Sequence, residues 1–451
     1  MRICHPISAA LFAGVIAICG LAKAADDAVA DAPMPPECEK ARADDPLFAA
    51  FTWDPDQIIP TWHPTPDFSM RLRGRIDTDA IWTKQSPGDI ATFGDIGDAV
   101  GLRRARIGVE GTLPDGRYVA EIDLATGAVV PKDVFVGLYG DDDQLDERRG
   151  GHFREPFSLE GGTSANTFAF LERSPANMFD PGRNWGMGLF HNGCDKTYTL
   201  DGGVFQDGTD PSDFEAGPGS TVGFTGRLTV APIDEAGGER LLHFAVALSG
   251  RIPEAGVIVI NQQPRSGLLE LGDSSSSDFV PKIVIPATFE QLFNLQFASA
   301  CGPAWTEAEW YGTLIDQIGG GPVFYHGCYV DCGYFLTGEH REYSATGGVF
   351  GPVKVEHPLF RDRTTGDRTL GFGGWEIVAR FSYLDLFSPN TPLGPSGQLQ
   401  GTRLPLSTFG VNWYWTDHVR VMFDYSYAVP IEPNTGSSDV NEFATRLNIF
   451  W

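Results

Sequence analysis

The chain has 451 residues and a formal net charge of −26 at pH 7. So acidic a protein is a poor partner for nucleic acid, whose phosphates bind basic surfaces, and solubility is the simplest explanation of its charge. The one long apolar run, residues 7–22, has 16 residues. A membrane-spanning helix needs roughly 20, which excludes a helical membrane protein.

The first 24 residues have the organisation of a secretory signal peptide. Arg2 precedes the apolar run, and Ala22-Lys23-Ala24 forms a small-x-small site, so we expect cleavage after Ala24. Cleavage removes Arg2 and Lys23 and no acidic residue, which takes the formal charge from −26 to −28. Residues 25–66 are rich in Ala, Asp and Pro with little periodicity, and predict an acidic periplasmic lead or linker.

Residues 67–451 alternate between polar and apolar positions, with breaks at Gly, Pro, Asp and Asn, and predict an all-β domain. In the first predicted strand the odd positions from Arg71 to Asp79 are charged, while Leu72 and Ile76 face the other way. The last predicted strand ends the chain at Trp451 and cannot remain an open edge.

Residues 152–186 fit neither a helix nor a strand. They combine charged residues, phenylalanine and proline with no sustained period of 3.6 or 2. This composition is typical of a compact loop that packs on its own side chains.

Alternation alone does not separate a lipid-facing surface from a buried core, so a large secreted sandwich or propeller is one interpretation. Three features favour an outer-membrane barrel instead: a signal peptide without a retained anchor, short turns alternating with long loops, and aromatic residues at strand ends. The length supports about 14 to 18 strands, an even number, around an aqueous channel. The charged strand faces must then point into the lumen, because one Arg in the middle of the lipid face costs about 2 to 4 kcal/mol.

Eight short motifs occur in order along the chain. They are residues 102–106 (LRRAR), 151–158 (GHFREPFS), 170–174 (FLERS), 181–184 (PGRN), 226–228 with 241–243 (GRL, LLH), 334–341 (YFLTGEHR), 375–380 (WEIVAR) and 412–414 (NWY). These motifs resemble those of the porin O and P family, the phosphate-selective porins of bacterial outer membranes. This resemblance implies a sixteen-stranded barrel, usually a trimer, whose pore narrows at an inward-folded loop and passes phosphate or other anions.

A row of arginines is the predicted anion pathway, because spaced cations can pass an anion along without trapping it. We expect Arg71, Arg73 and Arg75 low on the first strand, and Arg104 and Arg106 high on its neighbour. The alternative is a neutral lumen network, in which these arginines pair with nearby carboxylates. Those carboxylates are Asp77, Asp79, Glu110, Glu121 and Asp123.

The resemblance makes residues 160–184 the constriction loop, folded into the barrel. Its phenylalanines, Phe168, Phe170 and Phe179, would pack against the wall. Its charged side chains would reach the channel or pair with each other to hold the loop in place. These side chains are Glu172, Arg173 and Arg183.

The solute is the least determined part of the prediction. Seven lysines occur in the whole chain, and the acidic charge predicts a mouth that repels anions at low salt. Passive diffusion of small polar solutes is therefore expected, with anions such as phosphate or polyphosphate as one specificity. A general or cation-preferring porin with an acidic lumen is the alternative.

Other classes have weaker support. The nine histidines are scattered and form no triad motif, so neither an enzyme nor a catalytic residue is predicted. Residues 141–143 (DDD) are too short for a calcium loop, so neither a metal site nor a cofactor is predicted. The odd number of cysteines in the exported chain leaves at least one unpaired, and Cys328 and Cys332, about 13 Å apart on one strand, cannot bridge each other. The five are Cys38, Cys194, Cys301, Cys328 and Cys332.

Overall fold

A computed structural model describes residues 50–52, 58–140, 146–193, 195–207, 221–260, 282–360 and 371–451. The predicted signal peptide, Cys38, Cys194 and residues 141–143 lie outside these ranges. The chain divides into two units, Met1–Thr52 and Trp53–Trp451. In the first unit the described residues include the two-residue strand Phe51–Thr52. Among the described residues, no helix has both the length and the apolar character needed to cross a membrane.

The second unit forms a closed barrel of sixteen antiparallel strands, which confirms the predicted fold class and strand number. Each strand pairs with its neighbours in sequence, and the last strand pairs with the first. The strands are β1 (Phe68–Gln85), β2 (Ala99–Leu113), β3 (Gly116–Asp123), β4 (Val130–Tyr139), β5 (Asp146–Arg154), β6 (Arg183–Asn192), β7 (Tyr198–Asp207), β8 (Thr221–Glu235), β9 (Arg240–Pro253), β10 (Ile283–Cys301), β11 (Ala304–Gln317), β12 (Val323–Phe335), β13 (Gly374–Asp385), β14 (Arg403–Thr416), β15 (Val419–Ala428) and β16 (Val440–Phe450).

Alternation places the charged face of β1 inside. On β1, Leu72 and Ile76 lie on the outer surface, whereas Arg75, Asp77 and Asp79 are buried in the interior. The outer face can therefore meet lipid without a buried charge, and the polar face surrounds the lumen.

The chain terminus completes the barrel. Backbone groups of Gly74 and Trp451 exchange two hydrogen bonds of 3.0 Å, so the end of the chain is paired as the sequence predicted. The ring of Trp451 lies against Gly74 so closely that a Cβ there would stand 2.5 Å from it. Glycine is required at this position by that approach.

Connections at one end of the barrel are short, with one exception. The turns 114–115, 302–303 and 417–418 have two residues each, but residues 336–373 join β12 to β13 at the same end. This long connection carries a hairpin of two strands, Arg341–Ser344 and Val349–Val353, which enters the barrel. The predicted alternation of short turns and long loops therefore fails at this position.

The remaining elements lie in the connections. Helix α1 (Pro87–Phe93) follows β1, and helix α2 (Leu159–Gly162) lies between β5 and β6. A short strand, Thr61–Thr65, pairs with the start of β1 and lies inside the predicted lead. The others are the 3-10 helices Pro175–Phe179 and Ala236–Gly238 and the strands Val257–Ile260, Ile431–Glu432 and Gly436–Ser437.

The barrel interior has two different halves. The inner faces of β8–β16 are covered by apolar side chains, which we call the packed half: Phe157 and Phe179 lie in one buried cluster, and Phe170, Tyr343 and Phe350 lie in another. The inner faces of β1–β7, which we call the open half, surround two cavities. Cys301 and Cys332 lie exposed and Cys328 partly buried on the wall as free thiols.

Candidate pore and constriction

The inward-folded loop comprises residues 155–182, between β5 and β6. The predicted limits, 160–184, were wrong at both ends: Arg154 pairs with Arg183 in the strand ladder, and the amide of Glu155 donates to the carbonyl of Gly182 at 2.9 Å. Arg183 is therefore the first residue of β6, not a loop residue, because the ladder continues to it.

A carboxylate on the packed half anchors helix α2. Glu309 on β11 accepts hydrogen bonds from the amides of Leu159 and Glu160, each at 2.8 Å. The hydroxyls of Tyr311 and Tyr329 donate to the same side chain at 2.9 and 2.7 Å. Unpaired amides at a helix start favour a negative partner, so this contact fixes the root of the loop.

The tip of the loop is held through its backbone. An irregular loop inside a barrel must satisfy its amides and carbonyls by other means than a ladder. Side chains of the wall and of the inserted hairpin supply these partners. The contacts are Gln296 to Phe157 O (2.7 Å), Arg341 to Thr167 O (3.2 Å), Arg420 to Phe168 O (2.5 Å), Asn412 to Ala169 O (2.8 Å) and Leu171 N to Asp424 (2.8 Å).

Glu172 binds the wall rather than its neighbour Arg173. It accepts from Arg103 at 2.8 and 3.1 Å, from Arg446 at 2.9 Å and from Arg104 at 3.5 Å. Burial alone would raise the pKa of Glu172, but these three guanidinium groups hold that pKa well below its ordinary value. Glu172 is therefore an ionised clamp between the loop and the wall.

The other two predicted loop cations differ from each other. Arg173 donates to carbonyls of its own loop, at 3.1 Å to Glu160 and to Gly161, and its guanidinium lies 4.3 Å from the ring centre of Phe168. Arg183 makes two hydrogen bonds to Asp133 on β4, at 3.1 and 2.8 Å. The expected pairing of Glu172 with Arg173 does not occur, since each side chain has nearer partners.

The lower part of the predicted row is paired with carboxylates. Arg71 forms an ion pair with Glu110, and Arg73 contacts Glu110 at 2.6 Å and Glu121 at 3.0 Å. Both arginines remain about one third exposed, at 27% and 30% of the side chain. They are thus neutralised in part yet accessible from the lumen.

The upper part contains an unpaired cation. Arg104 contacts Asp77 at 3.0 Å, and Arg106 contacts Asp123 at 2.8 Å. Arg75 stands opposite Arg106 in the strand register, is 5% exposed, and its Nη1 has no hydrogen-bond partner among the described residues. Among the described residues, the row thus contains arginines paired with carboxylates and one arginine, Arg75, without an ion pair.

Two β-bulges bring in cations that alternation did not predict. The β1–β2 register shifts after Asp77, so Arg103 joins Arg104 on the inside. The β3–β4 register shifts beside Glu121, which brings both Lys132 and Asp133 to the lumen. Lys132 has no ion-pair partner in the described part of the chain. In the sequence, each bulge was indicated by two adjacent charged residues within a predicted strand, Arg103 with Arg104 and Lys132 with Asp133.

These side chains line a cavity of about 820 Å³ on the open half. Its lining contains eleven cationic residues and three carboxylates. A second cavity, of about 510 Å³, adjoins the first, and three arginines line both. The cations of the larger cavity are Arg73, Arg75, Arg103, Arg104, Arg106, Arg117, Lys132, Arg149, Arg154, Arg173 and Arg183, and the carboxylates are Glu121, Asp123 and Asp133.

Sequence comparison gives a family match and two relatives. Residues 71–429 match the family model described as phosphate-selective porin O and P. Porin O of Pseudomonas aeruginosa is 27% identical over 418 residues, covering 84% of this chain and 88% of the relative. An uncharacterised protein of Caulobacter vibrioides is 28% identical over 413 residues, covering 86% of this chain and 76% of the relative.

Structure comparison shows the same fold in outer-membrane proteins. OmpT of Vibrio cholerae superposes with a TM-score of 0.52 at 9% identity, over 86% of this chain and 98% of that one. An anion-selective porin from Comamonas acidovorans superposes with a TM-score of 0.50 at 11% identity, over 85% of this chain and all of that one. At such low identity the likeness shows the barrel fold alone.

Proposed function

The chain belongs to the phosphate-selective porin O and P family and is an outer-membrane porin, and we propose that it passes small anions, phosphate among them, through the open half of its barrel. The observation that carries this proposal is the excess of eleven cations over three carboxylates in the lining of the larger cavity, an excess that carboxylates behind the lining, such as Glu172 and Glu147, offset in part. The whole chain has a formal charge of −26, so the cations are concentrated where a solute would pass. A local excess of this kind attracts anions whatever the net charge of the chain.

Transport needs cations that attract an anion without trapping it. In this proposal four arginines bind the anion weakly, because each shares its charge with a carboxylate. They are Arg71, Arg73, Arg104 and Arg106. Arg75 adds an unshared charge at the level of Arg106, and Lys132 adds another. The solute then moves from one of these cations to the next by passive diffusion.

The loop contributes to the constriction in two ways. Glu172 holds the loop on the wall and reduces the charge of Arg103 and Arg104, which weakens anion binding there. Arg173 faces the larger cavity from the loop, and Arg183 faces it from β6. Both side chains would narrow the path through this cavity.

The reversal potential of the purified, refolded protein in a planar bilayer tests this function. Under a potassium chloride gradient we expect anion preference, and added phosphate should reduce the chloride current. Arg106→Gln should weaken the phosphate block about tenfold, because a charge-assisted contact of about 1.5 to 3 kcal/mol is lost.

Arg240→Gln is the matched control for that experiment. Arg240 is 60% exposed at the turn end of the barrel and pairs with Glu235 outside both cavities. Its loss should leave selectivity and block unchanged. Cation preference without a phosphate block would contradict the proposal and make the protein a general porin.

The proposed mature protein begins at Ala25, with residues 1–24 as the signal peptide, residues 25–66 as a periplasmic lead and residues 67–451 as the barrel. We also propose a homotrimer in outer-membrane lipid, in keeping with the family resemblance. A purified particle with the mass of one chain, or a mature chain that begins elsewhere, would contradict this organisation.

A further inference from the structure

A cluster of aromatic rings covers part of the inner face of the open half. Phe135, Phe153 and Phe205 are buried there, and Phe190 packs against them. The ring of Phe153 stands edge-on to the other three, with ring centres 5.5 to 6.0 Å apart. The surrounding wall is charged, so this apolar surface faces a lumen that is otherwise polar.

Two guanidinium groups rest on this cluster. Arg149 lies 3.9 Å from the ring centre of Phe190 and 4.5 Å from that of Phe135, and Arg117 lies 5.3 Å from Phe135. Such cation–π contacts restrict where a guanidinium can point. The two arginines are therefore held against the wall by the rings.

Both arginines share a single carboxylate. Arg149 donates to Glu147 through Nε and Nη2 at 3.1 and 3.0 Å, and Arg117 does so at 3.1 and 2.9 Å. In the described residues, Nη1 of each has no hydrogen-bond partner. Within this trio two cations share one anion, which leaves two fixed N–H edges for a further acceptor; Glu155 and Asp201 also line the smaller cavity.

These donors stand where the two cavities meet. Arg117, Arg149 and Arg154 line both the larger and the smaller cavity, so a solute that crosses from one to the other passes them. The smaller cavity also exposes apolar surface beside the donors. Its apolar lining includes Tyr139, Pro156, Phe190 and Val349 of the inserted hairpin.

We propose that this junction is a binding site for organic carboxylates with an apolar or aromatic body. The carboxylate would accept from Nη1 of Arg117 and Arg149, and the body would contact Phe190 and Tyr139. An inorganic anion uses only the donors, whereas an organic one also removes apolar surface from water. This inference rests on the proposed anion pathway and adds a solute class to it.

Block of the chloride current by benzoate, acetate and inorganic phosphate tests the site in the bilayer experiment above. Acetate carries the same carboxylate as benzoate without the ring. We expect benzoate to bind at least about tenfold more tightly than acetate, from burial of the ring. Arg149→Gln should weaken the benzoate block about tenfold.

A second variant keeps the test independent of the stability of R149Q. Phe190→Ala should bring the benzoate and acetate affinities within about threefold of each other, since it removes the ring contact. Arg240→Gln again serves as the control. Equal block by benzoate and acetate in the wild type would overturn this inference while leaving phosphate transport intact. Cation preference without any anion block would instead overturn the proposed function itself.

Discussion

The packed half and the open half use the same residue type for different purposes. In the packed half Arg341, Arg420 and Arg446 are 2%, 2% and 1% exposed, and each donates to a backbone carbonyl of the inward-folded loop. In the open half about a third of the side-chain surface of Arg71 and Arg73 is exposed, and Nη1 of Arg75 has no hydrogen-bond partner among the described residues. Contact with the loop that covers the packed half therefore decides whether one of these arginines supports the fold or faces a solute.

The packed half is covered by the inward-folded loop together with the inserted hairpin. Val349 of the hairpin lies near Gly162 of the loop, and Leu159, Phe170, Tyr343 and Phe350 share one buried cluster. The hairpin is also tied to the wall, because the hydroxyl of Tyr343 and Nδ1 of His243 are 2.7 Å apart. Packing of these two segments on each other restricts the described cavities to one side of the barrel.

Arg341→Gln should have the largest effect on stability. Arg341 contacts Glu307 at 3.3 Å and stacks on Trp305 and Phe350 at 4.3 and 4.1 Å. Its loss leaves Glu307 buried without its cation, which costs about 3 to 5 kcal/mol. We expect the free energy of unfolding in lipid vesicles to fall by that amount, as measured by urea titration of tryptophan fluorescence. An unchanged urea midpoint would show that the hairpin is not part of the packed half.

A change of pH should have the next largest effect on the free energy of unfolding, through Glu160 of the loop. Glu160 contacts Arg380 at 2.6 Å, and its Oε2 is buried without a partner among the described residues. Burial raises the pKa of Glu160 to about 7, against Arg380 and with the help of Asp331. The folded state thus holds a proton that the unfolded state, with a pKa of 4.5, has released.

The sign of the pH effect follows from that difference. The contribution of Glu160 is present below pH 4.5 and is lost as the pH rises through about 7. The free energy of unfolding should be higher at pH 5 than at pH 8 by the order of 1 to 3 kcal/mol. Glu160→Gln, which stays neutral, should remove the part of this difference that comes from Glu160. A variant that keeps the full pH dependence would assign it to other groups.

The barrel could be predicted from sequence because strand alternation is a local property and because an unpaired last strand is unfavourable. The row from Arg71 to Arg75 follows from a period of two, and the closing contact at Trp451 follows from the need to pair the last strand. Arg103 and Lys132 were missed because each enters the lumen through a β-bulge, where the period changes by one residue.

The hairpin and the aromatic cluster depend on contacts between distant parts of the chain. Residues 341–353 form two short strands around a glycine pair, and their sequence alone does not indicate that they enter the barrel. The sequence did not indicate that Phe153 and Phe190 belong to an inner aromatic cluster, because apolar residues are expected on the outer face of a barrel as well as in a core. Arg183 was predicted to lie in the loop because it follows Pro181 and Gly182, which usually interrupt a strand. The strand ladder nevertheless includes Arg183.

Arg75→Gln should have the smallest effect on stability and a clear effect on permeation. Arg75 is as deeply buried as the arginines of the packed half, but no described carboxylate forms an ion pair with it. Its removal leaves no anion unpaired and removes the cost of burying a charge, so the free energy of unfolding should change by less than about 1 kcal/mol. The phosphate block should weaken about tenfold, since the cation that does not share its charge is lost. Measured beside R341Q, this variant separates the two halves. Similar losses of stability in both would mean that Arg75 also supports the fold, and the distinction between an arginine that contacts the loop and one that does not would fail.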